Sequence, residues 1–109
     1  DSNILILGIT FKENCPDIRN TKVVDIYNEL KSYNTNVDVF DPWANKKDVE
    51  NEYGINLTAA SNQKKYDAII LAVAHREFER INFEELHSNS TVIYDTKGFI
   101  ERSLVDGRL

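Results

Sequence analysis

Short runs rich in apolar and β-branched residues recur along the chain, and polar or turn-forming residues bound each of them. These runs occupy residues 4–9, 37–40, 68–73 and 91–94. The first and third are continuously apolar, which is typical of strands buried on both faces of a parallel sheet. We therefore predict four strands at these positions. A short edge strand is also predicted at residues 55–57.

Helical spacing appears between the predicted strands. Apolar residues in segment 21–33 recur at intervals of three or four, which predicts an amphipathic helix. The highly charged segment 44–53 predicts a solvent-exposed helix, and Gly54 is well suited to end it. Short helical turns are predicted at residues 76–80 and 83–87, whereas the tail from residue 101 has little pattern.

Alternating strands and helices indicate an α/β fold with right-handed crossovers and a mainly parallel sheet. Ligands of such sheets bind beyond the carboxyl ends of the strands. In this chain those ends fall at residues 10–14, 41–43, 74–76 and 95–98. These four loops are therefore where functional side chains are expected.

The composition narrows the class of protein. The 109 residues, 41% apolar and 28% charged, fit a single globular domain over residues 1–109. The net charge of −5 argues against a general nucleic-acid or anionic-membrane surface, and no apolar run is long enough to span a membrane. One cysteine excludes an internal disulfide and favours a cytoplasmic protein. Because the chain lacks methionine and begins directly before a strand, we expect a domain excised from a larger protein.

Three basic side chains lie in the loops at the carboxyl edge of the predicted sheet, where a ligand is expected. The loop after the first strand lacks G-x-G-x-x-G, so it cannot bring a pyrophosphate close to bare backbone. It carries Lys12 and Arg19 instead, and Lys97 follows the last predicted strand. Three cations from two loops form a candidate anion-binding site. The alternative is that Lys12 and Arg19 are solvated surface charges balanced by Glu13 and Asp17.

Four other side chains in these loops have two interpretations each. Cys15 is a candidate nucleophile, although we favour a small apolar filler under the loop. His75 is a candidate general base, although a cap or turn residue is favoured. For Asp41 we favour a turn or helix cap over a ribose contact. Trp43 is either core or a stacking platform. No metal-ligand spacing is present, so no metal site is predicted.

Four segments together resemble the C-terminal domain of the UDP-glucose/GDP-mannose dehydrogenase family. They are GITFKENCPDIRNTKVVDIYNEL, VDVFDPWA, YDAIILAVAHREF and VIYDTKG, and they stand in the family's order across nearly the whole chain. The most specific part is F-K-x-x-x-x-D-x-R, from Phe11 to Arg19. The sequence F-K-E-N-C-P-D-I-R-N is most similar to the sequences of the Vi-antigen-type branch, whose members oxidise UDP-N-acetylhexosamines.

This resemblance implies a three-layer Rossmann-like domain that holds the UDP part of a UDP-sugar. In the family, an N-terminal Rossmann domain binds most of the NAD, and a central helical region builds a homodimer. The enzymes oxidise the C6 alcohol of a UDP-hexose or UDP-N-acetylhexosamine to a uronic acid for surface polysaccharide synthesis. The family's catalytic cysteine precedes this domain, so Cys15 is not its counterpart. The resemblance therefore implies no catalytic residue here, and the domain alone is expected to be inactive.

The resemblance also implies individual binding residues. Phe11, through its backbone, and Lys12 match positions that contact the UDP-sugar. Lys97 lies where many members have an arginine near the substrate, so whether it replaces that contact stays open. Arg19 matches the arginine that reaches across the interdomain cleft to the NAD pyrophosphate.

Two other functions stay open at this point. One is a stand-alone nucleotide-binding regulatory module without catalysis. The other is a receiver-like signalling domain, which would need an acidic cluster at the end of the first strand, where Thr10, Phe11 and Lys12 stand. The sequence does not decide which UDP-sugar is oxidised, or the oligomeric state.

Overall fold

The computed structural model describes residues 2–58, 65–88, 91–98 and 102–108. The strands are β1 (Asn3–Leu7), β2 (Asn36–Phe40), β3 (Ala68–Leu71), β4 (Val92–Asp95) and β5 (Gly107–Arg108). The helices are α1 (Val23–Lys31), α2 (Lys46–Tyr53) and α3 (Phe83–Ser88), with short 3-10 helices at Arg76–Arg80 and Arg102–Leu104. No helix in these ranges is long and apolar enough to cross a membrane.

The strands form one sheet in the order β2-β1-β3-β4-β5, and every neighbouring pair is parallel. Successive side chains of β1 point to opposite faces of the sheet. Ile6 packs into a core cluster with residues of α1 and α2, and Leu7 packs into a second cluster with Phe78 and Phe83. The predicted three-layer, Rossmann-like α/β fold is confirmed.

Helix boundaries follow from local capping. The Asn45 side-chain oxygen accepts a hydrogen bond from the Asp48 backbone N–H at 3.1 Å and so starts α2. Gly54 ends that helix with φ +69°, as its sequence position predicted. At the start of α1, the Thr21 hydroxyl accepts from the Val23 N–H at 3.2 Å. Both helices therefore begin two residues later than the predicted segments, which start at residues 21 and 44.

The predicted edge strand at residues 55–57 is wrong. This segment has no strand pairing, and Ile55 is buried in the core beside α2. The chain contacts the sheet again where the Thr58 N–H donates to the Val39 carbonyl at 2.8 Å. Burial of an irregular segment explains the apolar residues that suggested a strand.

The tail is more ordered than its sequence pattern suggested. Beyond the 3-10 helix at Arg102–Leu104, β5 pairs with β4 at the edge of the sheet. Asp106 anchors it, because its backbone N–H donates to the Ile93 carbonyl at 2.7 Å and its carboxylate accepts from the Ile93 N–H at 2.8 Å. A two-residue strand is defined by this pairing and leaves no periodicity in the sequence.

Gly8 connects β1 to the first loop in a conformation that only glycine adopts easily. Its φ is +97°, and a Cβ placed there would lie 2.5 Å from the Val73 Cβ. We expect Gly8→Ala to lower the free energy of unfolding by about 2 kcal/mol, measured by urea denaturation, because it adds backbone strain and a clash. Gly54→Ala is the matched control: φ is +69° and nothing lies within 4 Å, so only strain of about 1 kcal/mol is expected. Equal losses would contradict the close contact at Gly8.

Candidate functional site

A cleft opens at the carboxyl edge of the sheet, between the start of α1 and the loops that follow β1, β3 and β4. Its volume of about 370 Å³ lies in the range of small-molecule sites. Residues 10–11, 20–23, 26, 72–73 and 96–97 line it. Both charged side chains in this lining are lysines, Lys22 and Lys97, although the whole chain carries a net charge of −5. The cleft therefore combines an apolar wall with two cations, and it suits an anionic ligand that also has an apolar part.

The structure brings two of the four predicted binding residues into this cleft. Phe11, which is 58% exposed, lines it, and Lys97 lines it from the loop after β4. The Lys97 backbone N–H donates to the Asp95 carboxylate at 2.8 Å, which fixes the start of that loop. Lys12 and Arg19 are exposed neighbours of the cleft and are not part of its lining.

Lys22 is a cleft residue that the sequence interpretation missed. It occupies the N-cap position of α1 and lines the cleft with Asn20 and Thr21. In the sequence, this stretch indicates only the start of a helix. The usable signal was topological, because in a β-α-β crossover the start of the helix lies at the carboxyl edge of the preceding strand.

Arg19 folds back onto Asp17 in a bidentate ion pair. Its Nε and one terminal nitrogen each lie 3.0 Å from a carboxylate oxygen of Asp17, and its backbone N–H donates to the same carboxylate at 2.9 Å. The hydrogen bonds from Arg19 lower the pKa of Asp17 to about 2. The Arg19 side chain is 84% exposed. Because Arg19 is exposed, solvent screens this pair and the guanidinium is accessible to other anions.

Asp41 lies buried at the end of β2 and joins two loops. One carboxylate oxygen accepts hydrogen bonds from the Trp43 and Ala44 N–H groups at 2.7 and 3.0 Å, which confirms the predicted turn role. The other oxygen accepts from the Ile9 and Thr10 N–H groups at 2.7 and 3.2 Å. Burial raises the pKa of Asp41, but the hydrogen bonds it accepts outweigh burial, and the net pKa lies below the ordinary value. Asp41 has no oxygen left for a ribose.

His75 is fully buried beside Asp41 at the end of the loop that follows β3. Its Nδ1 accepts a hydrogen bond from the Asn14 N–H at 2.9 Å, so the ring proton lies on Nε2. Nε2 is 2.9 Å from the Asp41 carboxylate and 3.0 Å from the Thr10 hydroxyl. Both ring nitrogens are therefore engaged inside the protein, and His75 is not placed to act as a general base. Its backbone carbonyl caps the following 3-10 helix through the Phe78 N–H at 3.0 Å, as favoured.

The ring of Trp43 is engaged by neighbouring side chains, whereas no such contact within the described residues defines a role for Cys15. The Trp43 ring stacks beside His75 with Arg76 over it at 5.2 Å, and its indole N–H donates to Glu77 at 2.8 Å. These contacts occupy the ring, so it belongs to the packing of the loops rather than to an open platform. Cys15 has a free, partly buried thiol. The described residues contain no cluster of three or more side chains that could hold a metal ion.

Comparison with known proteins identifies the family. Residues 5–102 match the UDP binding domain of the UDP-glucose/GDP-mannose dehydrogenase family. The chain belongs to this family. It is 49% identical over 111 residues to a UDP-N-acetyl-D-glucosamine 6-dehydrogenase of Pseudomonas aeruginosa, and 44% identical over 111 residues to one of Salmonella typhi. Each alignment covers 99% of this chain and 26% of the relative, so the chain spans about a quarter of their length.

Solved structures support the same fold. A UDP-D-ManNAc dehydrogenase from Pyrococcus horikoshii superposes with a TM-score of 0.77 at 20% identity, over 99% of this chain and 25% of that one. A UDP-glucose dehydrogenase from Pyrobaculum islandicum gives a TM-score of 0.76 at 20% identity, over 98% of this chain and 24% of that one. At these identities the likeness concerns the fold of the domain.

Proposed function

We propose that this domain binds the UDP part of a UDP-sugar within an NAD-dependent nucleotide-sugar 6-dehydrogenase. The reaction would convert the C6 alcohol of a UDP-hexose or UDP-N-acetylhexosamine to a carboxylate for surface polysaccharide synthesis. The observation that carries the proposal is the cleft at the ligand edge, whose charged lining is lysine alone, in a member of this family. Most of the enzyme lies outside this chain, and so do its catalytic groups.

The cleft offers groups suited to both halves of UDP. Lys22 at the start of α1 and Lys97 in the loop after β4 can bind the diphosphate, and the exposed Lys12 follows the lining residue Phe11 in the chain. Phe11 exposes its ring at the cleft for apolar contact with the nucleoside. Its backbone N–H already donates to the Asp17 carbonyl at 2.6 Å, so the carbonyl is the backbone group that it can offer.

The residues of this domain can make only a peripheral contact with NAD, because they do not form a complete dinucleotide site. The loop after β1 closes on itself through Phe11 and Asp17, so it offers no open cradle of N–H groups to a pyrophosphate. Asp41, at the position where a dinucleotide domain would bind ribose, has both oxygens engaged. NAD, which accepts the hydride when bound, would lie mainly on another domain. Arg19 would leave Asp17 to reach the NAD pyrophosphate.

We expect Arg19→Ala in the full-length protein to raise the KM for NAD about tenfold, because one charge-assisted contact is lost. The KM for the UDP-sugar should change little. Steady-state kinetics with each substrate varied in turn measures both constants. An unchanged KM for NAD would remove Arg19 from the cofactor site.

Three further parts of the proposal concern the whole protein. Its substrate-binding domain would work with N-terminal and central domains of the same chain. The full-length protein would be a homodimer. A cytoplasmic location fits the single cysteine, which needs no oxidising compartment.

The experiment that tests the proposed function is turnover by the full-length protein on a panel of UDP-sugars. The panel contains UDP-glucose, UDP-N-acetylglucosamine and its galactose and mannose epimers. Oxidation of an alcohol to a carboxylate should give two NADH for each UDP-sugar consumed. Binding of UDP without turnover of any panel member would favour the regulatory-module alternative instead.

A further inference from the structure

A buried hydrogen-bond network brackets the short segment that carries Lys12. Thr10 precedes this segment and Asn14 follows it, and both bond to the same imidazole, that of His75. The Thr10 hydroxyl in turn donates to the Lys12 carbonyl at 2.9 Å. One fully buried side chain therefore holds both ends of residues 11–13.

Asn14 gives this segment a defined shape. Its φ is +54°, a left-handed conformation that asparagine tolerates better than most residues. Its side-chain oxygen accepts from the Arg76 N–H at 2.8 Å, while its own N–H donates to His75. The loop after β1 is thus attached to the loop after β3 by two hydrogen bonds at a single residue.

His75 does not itself reach the cleft. It is fully buried and is not part of the cleft lining, whereas Thr10 and Phe11 are. Any effect of the imidazole on a ligand must therefore act through the segment that it anchors. A lysine on an anchored segment binds better than one on a mobile segment, because less conformational entropy is lost when the ligand arrives.

We propose that His75 is a positioning residue for the UDP site: its imidazole fixes residues 11–13 so that Phe11 and Lys12 are preset for the ligand. This inference rests on the proposed function, because it takes UDP as the ligand. The Asp41 carboxylate accepts a hydrogen bond from Nε2, and this contact keeps Nδ1 directed at the Asn14 N–H. His75 is thus assigned a role in binding without direct contact.

The test measures the Kd for UDP by calorimetry on the full-length protein. It compares two variants, each of which retains a hydrogen-bonding group in place of one of the two ring nitrogens. In His75→Asn the side-chain oxygen can replace Nδ1 and still accept from Asn14. In His75→Gln the amide nitrogen can replace Nε2, and the bond to Asn14 is lost. We expect His75→Gln to weaken UDP binding about tenfold and His75→Asn clearly less, since loop anchoring depends on the Asn14 bond. UDP binding as in the wild type by both variants would overturn the inference.

A double-mutant cycle with Lys12→Ala separates positioning from general destabilisation. If His75 acts through residues 11–13, part of its effect depends on the Lys12 side chain, so its replacement should cost less affinity once Lys12 is gone. Equal losses in the two backgrounds would overturn the inference while leaving the UDP site in place. An unchanged Kd for Lys12→Ala alone would instead count against the proposed site itself, and the inference would fall with it.

Asn14→Gly tests the same idea at the surface, should the buried variants fail to fold. Glycine keeps the positive φ and the N–H, and it removes only the bond to the Arg76 backbone. We expect UDP binding to weaken about fivefold, equivalent to one neutral hydrogen bond. Asn34→Gly is the matched control, because Asn34 also has a positive φ, +60°, and follows α1 at the opposite edge of the sheet. Equal effects of the two glycine changes would contradict the positioning role.

Discussion

Replacing Lys12 by alanine in the full-length protein should weaken UDP binding by about 10- to 100-fold, the range for losing one or two charge-assisted hydrogen bonds. Lys12 is exposed and follows Phe11, which lines the cleft. Its main-chain carbonyl accepts a hydrogen bond from the Thr10 hydroxyl, so the backbone that carries the ammonium is held in place. Calorimetric titration with UDP measures the loss directly. We expect a smaller effect on NAD binding.

The matched control is Lys31→Ala. Lys31 lies in the last turn of α1, whose carboxyl end is at the opposite edge of the sheet from the cleft. Both changes remove one exposed ammonium and alter the net charge equally. A similar loss of affinity in the two variants would show that these lysines act on UDP only through long-range electrostatic attraction. Lys12 would then not be part of the binding site.

Asp41→Ala should lower the free energy of unfolding by about 4 kcal/mol, the largest single loss that we expect in this domain. The carboxylate accepts hydrogen bonds from four backbone N–H groups and from His75. Alanine would leave these buried donors without an acceptor. Asp41→Asn should also be strongly destabilised, because its amide nitrogen would face donors. Urea denaturation near neutral pH measures both losses.

The dependence of this loss on pH provides a second check. The folded pKa of Asp41 lies below its ordinary value of 3.8, so the carboxylate contributes stability at neutral pH that is lost as the pH falls through the folded pKa. The difference between wild type and Asp41→Ala should therefore shrink in strong acid. Asp25→Ala, at an exposed position in the first turn of α1, should cost less than about 1 kcal/mol. Comparable losses for the two aspartates would contradict the network around Asp41.

The sequence predicted the strands of the sheet well because their signal is local. The buried runs at β1 and β3 are apolar on both faces, and no helical period competes with them. The segment at residues 55–57 is also partly apolar, through Ile55 and Leu57, but these side chains pack against the core without any strand pairing. The short strand β5 is the converse case, since the pairing of Asp106 with Ile93 creates a strand that has no pattern of its own.

The site was predictable in position more than in detail. Parallel topology and the resemblance to the family pointed to Phe11, Lys12 and Lys97, and the structure places Phe11 and Lys97 in the cleft at the carboxyl edge of the sheet. The sequence could not show that Arg19 pairs with Asp17, or that Lys22 faces the cleft from the start of α1. The role of His75 was also hidden, because Asn14 and Asp41 are each more than 30 residues from it in the chain.

We propose that UDP binds at the carboxyl edge of this domain, between the start of α1 and the loops after β1 and β4. Hydrogen exchange of the full-length protein, compared by mass spectrometry with and without saturating UDP, tests this location directly. We expect slower exchange in peptides that cover residues 10–24 and 95–98, and little change in peptides that cover β2 and α2. Protection confined to other parts of the protein, with the peptides of residues 10–24 and 95–98 unchanged, would contradict this location.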